Sequence, residues 1–258
     1  MPGRARYTRD GDVGIVTIDD PPLNLFGAEM GNDLIAALEE AEGDMPRALV
    51  IRAEGKVFTG GADVHVFKDR TEGQAGQFFG ELVSIVHKLE EMPWPTLAVV
   101  HALCLTAGLE LSLGCDMIWA AESAQFGLVE AVVGLTPGMG GTQRMVERAG
   151  PARAREFVMT GGLYDAATLE RWNVINRVLP DDQLEEKAMA FARRLAAGPT
   201  KAHAATKRMV RAAIDEGVRG ADARIGEIAG GLFETEDLKR AVDTFLTEGP
   251  GKATFEGR

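Results

Sequence analysis

Two acidic residues stand alone in long uncharged runs. Between Pro95 and Cys115 the one formal charge is Glu110, set between Leu109 and Leu111; between Ala124 and Gln143 it is Glu130, set between Val129 and Ala131. A carboxylate buried without a partner is costly. Such a group is therefore paired with an Arg from elsewhere, neutralised by a raised pKa, or placed in a cleft where its titration is used. Glycines lie close to both features. Phe58-Thr59-Gly60-Gly61-Ala62-Asp63 can present bare backbone N–H groups, and Thr106-Ala107-Gly108 precedes Glu110 where a helix is expected to begin. Unpaired amides attract negative charge. Two of them converging from separate loops would form an oxyanion hole with two carboxylates beside it. Ordinary turn glycine is the plainer use of the same residues.

Other chemistries lack their residues. Gly138, Gly140 and Gly141 approach a dinucleotide loop, but Gln143 stands where the third glycine belongs. Gly55 to Gly61 has phosphate-loop spacing, with Gly61 in place of the required Lys. The four histidines, His65, His87, His101 and His203, have no ligand spacing, and neither H-E-x-x-H nor G-x-S-x-G occurs. No metal site is expected. Cys104 and Cys115 both lie in an apolar stretch and read as buried free thiols.

The elements that must position these residues follow from hydrophobic periodicity. Val13 to Ile18, Ala48 to Arg52, Thr96 to His101 and Asp116 to Ala120 read as strands. A helix from about Ala28 to Ala41 repeats Met30, Leu34 and Leu38; another carries Phe78, Leu82, Ile85, Val86 and Leu89 on one face. This alternation implies an α/β fold. After about Val178 the pattern is wholly helical, with one stripe on Leu184, Ala188, Phe191 and Leu195, and another on Leu238, Val242 and Phe245 behind Thr235. The chain therefore divides into residues 1–197, an α/β core, and 198–258, a helical oligomerisation region, and the two stripes of the tail Asp182 to Arg258 are expected to leave apolar surface for an interface. The 258 residues carry 39 acidic and 28 basic side chains, a formal net charge of −11 that argues against nucleic acid or anionic lipid as a partner. Residues Met1 to Asp10 contain no apolar run and no stretch is long enough to span a membrane, so a cytoplasmic protein is expected.

Taken together, the motifs resemble the crotonase superfamily, the enoyl-CoA hydratase and isomerase family. Phe58 to Asp63 is similar to its F-x-x-G-A-D segment, Leu105 to Asp116 to G-G-G-x-E-L-x-x-x-C-D, and Phe126 to Glu130 to F-G-x-x-E. Gly134 to Arg144 resembles G-x-x-P-G-x-G-G-T-Q-R, and Glu234 to Lys239 resembles T-E-D-x-K-E. The resemblance implies a spiral of repeated β-β-α units with a C-terminal helical region that makes trimers or dimers of trimers. It also implies that the Ala62 and Ala107 amides form the oxyanion hole and that Glu110 and Glu130 are the catalytic carboxylates. Gly60, Ala62, Asp63, Val64, His65, Ala107 and Gly138 would line an acyl-CoA thioester, with Lys56, Lys68 or Arg52 near its phosphates; coenzyme A enters as part of the substrate and no separate cofactor is implied. Two departures stand out: Thr106 and Ala107 replace usual glycines, and His101-Ala102 replaces a common Asn-Gly, with His101 expected to be structural.

The implied reaction is addition of water to a trans-2-enoyl-CoA, with Glu130 exchanging the proton at C2 and Glu110 positioning and activating water. One carboxyl of such a pair can ionise while the other keeps a proton. A Δ3,Δ2-enoyl-CoA isomerase using a single Glu is the alternative, followed by a non-catalytic acyl-CoA binder or an RNA-binding relative. Phe67, Phe78, Phe79 and Leu103 are candidate walls for the acyl chain. Lys239, Arg240 or Lys252 of the tail could serve a neighbouring subunit's CoA phosphates.

Overall fold

The computed structural model describes residues 3–258; Met1 and Pro2, the start of the segment Met1 to Asp10 read above, lie outside them. Among the described residues nine strands form two sheets. The larger is built from β1 (Ala5–Asp10), β2 (Val13–Ile18), β3 (Ala48–Ala53), β4 (Thr96–Val100), β6 (Met117–Ala121) and β9 (Arg177–Leu179), in the order β1-β2-β3-β4-β6-β9. β1 and β2 pair antiparallel through a two-residue turn at Gly11-Asp12, where Gly11 has φ 59°. Every later pairing in this sheet is parallel. All of β2 and β4 is buried, which is why these strands read as unbroken apolar runs rather than alternating ones.

The smaller sheet comprises β5 (Cys104–Leu105), β7 (Gln125–Gly127) and β8 (Tyr164–Asp165), in the order β5-β7-β8. Single parallel bridges, Phe26 to Ala62 and Thr59 to Cys104, extend this second layer toward the earlier turns of the chain. Each turn thus makes a long strand in one layer and a short pairing in the other. Several turns then close with a helix: α1 (Ala28–Asp44), α2 (Glu72–Glu91) and α3 (Ala107–Leu113). This is the expected α/β spiral of β-β-α units. α1 buries Met30, Leu34, Leu38 and Ala41, and α2 starts with a Thr71/Gln74 capping box and buries Phe78, Ile85, Val86 and Leu89.

α4 (Gly141–Thr160) breaks at Gly150, where φ is 79°, and is followed by α5 (Ala166–Arg171). The tail holds α6 (Leu184–Ala196), α7 (Thr200–Gly230) and α8 (Glu236–Glu248), the last capped by the Thr235 side chain accepting from Leu238 N–H. α6 corrects one expectation. Leu184, Ala188, Met189, Ala192 and Ala196 are buried in the main core, where α6 covers β3, β4 and β6, so this stripe is no interface. The sheet needs a helix on that face, and a stripe of small residues lets α6 approach closely. α7 breaks at Gly217, with φ 74°, and doubles back around a separate small cluster of Ala205, Ala212, Ala221 and Ile228, with Arg208 paired to Glu227 at 2.9 Å. On α8 Val242 and Phe245 of the second stripe are exposed, as is the neighbouring Leu246, while Leu238 is half-buried. No helix is long and apolar enough to cross a membrane among the described residues.

Candidate active site

A cavity of about 130 Å³ lies where α3, the segment 129–139 and the loop 60–67 meet. Glu110 and Glu130 both line it, with Gly60, Ala62, Val64, Thr106, Ala107 and Gly138. α3 starts at Ala107 and places Glu110 one turn later, pointing inward between Leu109 and Leu111, which are fully buried. Glu110 itself is 2% exposed. No Arg pairs with it. Its Oε1 accepts the backbone N–H groups of Met139 and Gly141, both at 2.8 Å. Gly141 is required by that approach, since a Cβ there would lie 2.8 Å from Glu110 Cγ. Burial, and secondly the facing Glu130, push the Glu110 carboxyl from 4.5 up to about 7, against the two amides and Arg144, which pull it down.

Glu130 opens a short 3₁₀ turn, Glu130–Val133, and its Oε2 is buried with no hydrogen-bond partner among the described residues. Burial pushes this carboxyl up to about 7 as well. Both acids therefore titrate near neutrality in one apolar cavity, where one can hold a proton that the other releases. A second hollow of about 340 Å³ lies beside α7, and two of its three carboxylates are paired, Glu90 with Arg144 at 2.6 Å and Asp116 with Lys207 at 2.9 Å, while Glu147 is exposed.

The turn that holds Glu110 is itself braced. Arg144 spans both oxygens of Glu90, at 2.8 and 2.6 Å, and donates to Gly140 O at 3.2 Å. Gly140 sits at φ 91°, and a Cβ on it would strike the guanidinium at 2.1 Å. The G-x-G-G-T-Q-R run is thus a carboxylate cradle in place of the dinucleotide loop it superficially approaches.

The expectation of bare amides along Phe58 to Asp63 is corrected. Gly60 N–H donates to Leu23 O, Gly61 N–H to Thr59 Oγ1, and Asp63 N–H to Phe26 O. Ala62 N–H, expected to be free, donates to Thr106 Oγ1 at 2.9 Å. The loop runs between two other chain segments, and amides enclosed in that way must find acceptors. Ala107 N–H donates to no group among the described residues. Sequence reasoning named Thr106 in the segment before Glu110 and as a departure but missed its hydroxyl, together with the Met139 and Gly141 amides and the Arg144–Glu90 brace.

The remaining candidates fall at the rim. Asp63 caps the 3₁₀ turn Val64–Phe67, accepting His65 N–H at 3.0 Å and facing His65 Nδ1 at 2.7 Å, and this contact holds its carboxyl below the usual range. Lys56 is exposed and enters no ion pair among the described residues, whereas Arg52 is taken by Glu185 and Glu54 and Arg240 by Asp237 and Glu256. His101 Nε2 lies 3.0 Å from Gly55 O, a structural contact. Of the aromatic wall candidates, Phe67 and Phe79 line the cavity with Leu82; Phe78 is buried on α2 away from it, and Leu103 holds Phe58 and Thr59 through its carbonyl.

The fold and site together define a spiral α/β protein with a buried acid pair beside two glycine-bearing loops. The family model for enoyl-CoA hydratase/isomerase matches residues 8–258. The chain belongs to this family, within the crotonase superfamily. It is 33% identical over 256 residues to a "Probable enoyl-CoA hydratase" of Rhizobium meliloti (strain 1021), covering 96% of each chain. It is 32% identical over 240 residues to a similarly named protein of Mycobacterium bovis, covering 92% of this chain and 93% of the other. The crystal structure of an enoyl-CoA hydratase from Bacillus anthracis superposes with a TM-score of 0.91 at 25% identity, covering 99% of this chain and all of that one.

Proposed function

We propose that the protein is an enoyl-CoA hydratase that adds water across the double bond of a trans-2-enoyl-CoA to give the 3-hydroxyacyl-CoA. The observation that carries this reading is the pair of carboxyls, Glu110 and Glu130, both raised to about 7 in one small apolar cavity. Hydration needs a proton taken from water as its oxygen adds to C3 and a proton delivered to C2. Glu130, whose Oε2 has no other partner, exchanges the C2 proton. Glu110, fixed by two amides through Oε1, positions and activates the water with its other oxygen. Charge developing on the thioester oxygen is received at the Ala62–Ala107 corner of the cavity, where Ala107 N–H has no acceptor among the described residues and Ala62 N–H is held by Thr106 Oγ1. A double-bond isomerase needs one such acid, and retention of both favours the hydratase.

The CoA moiety runs along Gly60 to His65, with exposed Lys56 meeting a phosphate at the rim. Residues 1–197 form the catalytic body, and 198–258 serve self-association into a trimer or a dimer of trimers in the cytoplasm; exposed Phe233, Val242, Phe245 and Leu246 supply apolar surface for it. Loss of enoyl absorbance with a panel of C4 to C16 2-enoyl-CoAs tests the activity. Turnover of at least one member is expected, and none with any member would overturn the hydratase reading.

A further inference from the structure

Thr106 is held in a backbone conformation that a β-branched residue avoids, with φ 43° and ψ −118°. Strain of that kind persists only where the surroundings over-determine it. Here they do so from three sides. Thr106 N–H donates to Gly127 O at 2.8 Å, its carbonyl accepts Glu110 N–H at 2.9 Å, and its Oγ1 accepts Ala62 N–H at 2.9 Å. The last contact exists only because residue 61 is glycine, for a Cβ at Gly61 would lie 2.4 Å from Thr106 Oγ1. Thr106 lines the cavity that holds Glu110 and Glu130, and its hydroxyl proton is given to no acceptor among the described residues.

We propose that the Thr106 hydroxyl, rather than the Ala62 amide, donates to the substrate's thioester oxygen, so that the oxyanion hole consists of Thr106 O–H and Ala107 N–H. This rests on the acyl-CoA reading of the site. Ala62 N–H polarises the hydroxyl by donating to its oxygen, and the hydroxyl passes that polarisation on through its own proton. No bond of Thr106 breaks; the enolate charge is received by hydrogen bonding alone. The thioester oxygen then sits about 2.7–2.8 Å from Oγ1, one hydroxyl further from Ala62 than direct contact would place it. The alternative geometry is a plug: the hydroxyl swings aside when substrate arrives and the oxygen bonds Ala62 N–H directly.

Thr106→Val separates the two, because it keeps volume and β-branching while removing the donor. A true donor makes Thr106→Val lower kcat for hydration about 10²–10³-fold with a much smaller change in KM, and Thr106→Ser restores most of the rate. Wild-type kcat in Thr106→Val would overturn the proposal. A saturated acyl-CoA with a ¹³C-labelled thioester carbonyl gives a readout free of turnover. Its carbonyl stretch falls in frequency on binding to wild type and to Thr106→Ser and falls less on Thr106→Val; equal shifts in all three count against the hydroxyl. Should Thr106→Val fail to fold, a structure of the wild-type protein with the same saturated acyl-CoA decides. The thioester oxygen within 3 Å of Oγ1, with Oγ1 still on Ala62 N–H, supports the proposal, and the oxygen on Ala62 N–H with Oγ1 turned away refutes it. Because the saturated thioester cannot be hydrated, these measurements stand even if the wild type turns over no enoyl-CoA, an outcome that would sink the hydratase reading alone.

Discussion

Replacing Glu110 by Gln is expected to make the protein more stable at alkaline pH while removing activity. The side chain is 2% exposed, and its carboxyl is moved from 4.5 to about 7 by burial and by Glu130. Between these values the folded protein keeps a proton that the unfolded chain has released, so stability falls as pH rises through this window and the loss is complete above about pH 7. At 1.36 kcal/mol per pH unit the cost of ionising Glu110 in place is about 3 kcal/mol. Gln keeps a carbonyl oxygen where Oε1 accepts Met139 and Gly141 N–H, so the cradle survives. Its NH₂ faces the cavity in place of the second oxygen, at a cost of about 1 kcal/mol if unpartnered. The net gain is about 2 kcal/mol at pH 8.5, which for a chain of this size raises Tm by about 4–8 °C. At pH 5 the wild-type carboxyl is already protonated, and the variant should match it or fall slightly below. Calorimetry or urea titration at pH 5, 7 and 8.5 measures the difference directly. A stability difference that stays flat across that range, or one that favours the wild type increasingly at high pH, would refute the argument that Glu110 is held in place against its own ionisation.

Four further outcomes are expected. Glu130→Gln keeps volume and lowers hydration by at least about 10²-fold, the loss typical of a missing general acid or base, with CoA affinity little changed; because Glu130 raises Glu110, the same variant lowers the Glu110 pKa read by carboxyl ¹³C NMR, and an unchanged value would place the two acids too far apart to cooperate. Arg144→Met takes two hydrogen bonds from Glu90, leaving it the 3.6 Å contact with Arg211, and costs about 2 kcal/mol in denaturant unfolding, most of it recovered by adding Glu90→Gln; a single variant of wild-type stability would remove the brace from the account. Lys56→Ala weakens CoA binding more at low than at high ionic strength, as screening requires, and equal affinity at low salt would take Lys56 out of the site. Truncation after Gly230 removes exposed Phe233, Val242, Phe245 and Leu246 and should give monomers or aggregates with little hydratase activity; sedimentation velocity showing an intact trimer with full turnover would free α8 of that role.

The long elements and the two acids were legible in the sequence because their signals are local. Val13 to Ile18 and Thr96 to Val100 are continuous apolar runs buried on both faces, and Met30, Leu34 and Leu38 repeat with a helical period. Glu110 and Glu130 stood out because no other charge lies near them in the chain, and the glycine pattern around them was enough to suggest the family. The strands β5 and β8, two residues each, have no period to detect, yet they form the second layer on which the loops of the site rest. The Leu184 stripe carried the same amphipathic signal as the α8 stripe, and periodicity cannot say whether such a face meets the sheet or the surface. Electrostatics and hydrogen bonding at the site were decided wholly by tertiary contact. Glu110 finds its donors 29 and 31 residues further on, and Ala62 N–H meets a hydroxyl 44 residues away. A hydrogen bond reaches about 3 Å, so whether an amide is bare or occupied depends on which distant segment packs against it. Sequence by itself singled out the two isolated acids; the fold alone decided that the Thr106 hydroxyl meets the Ala62 amide at the cavity.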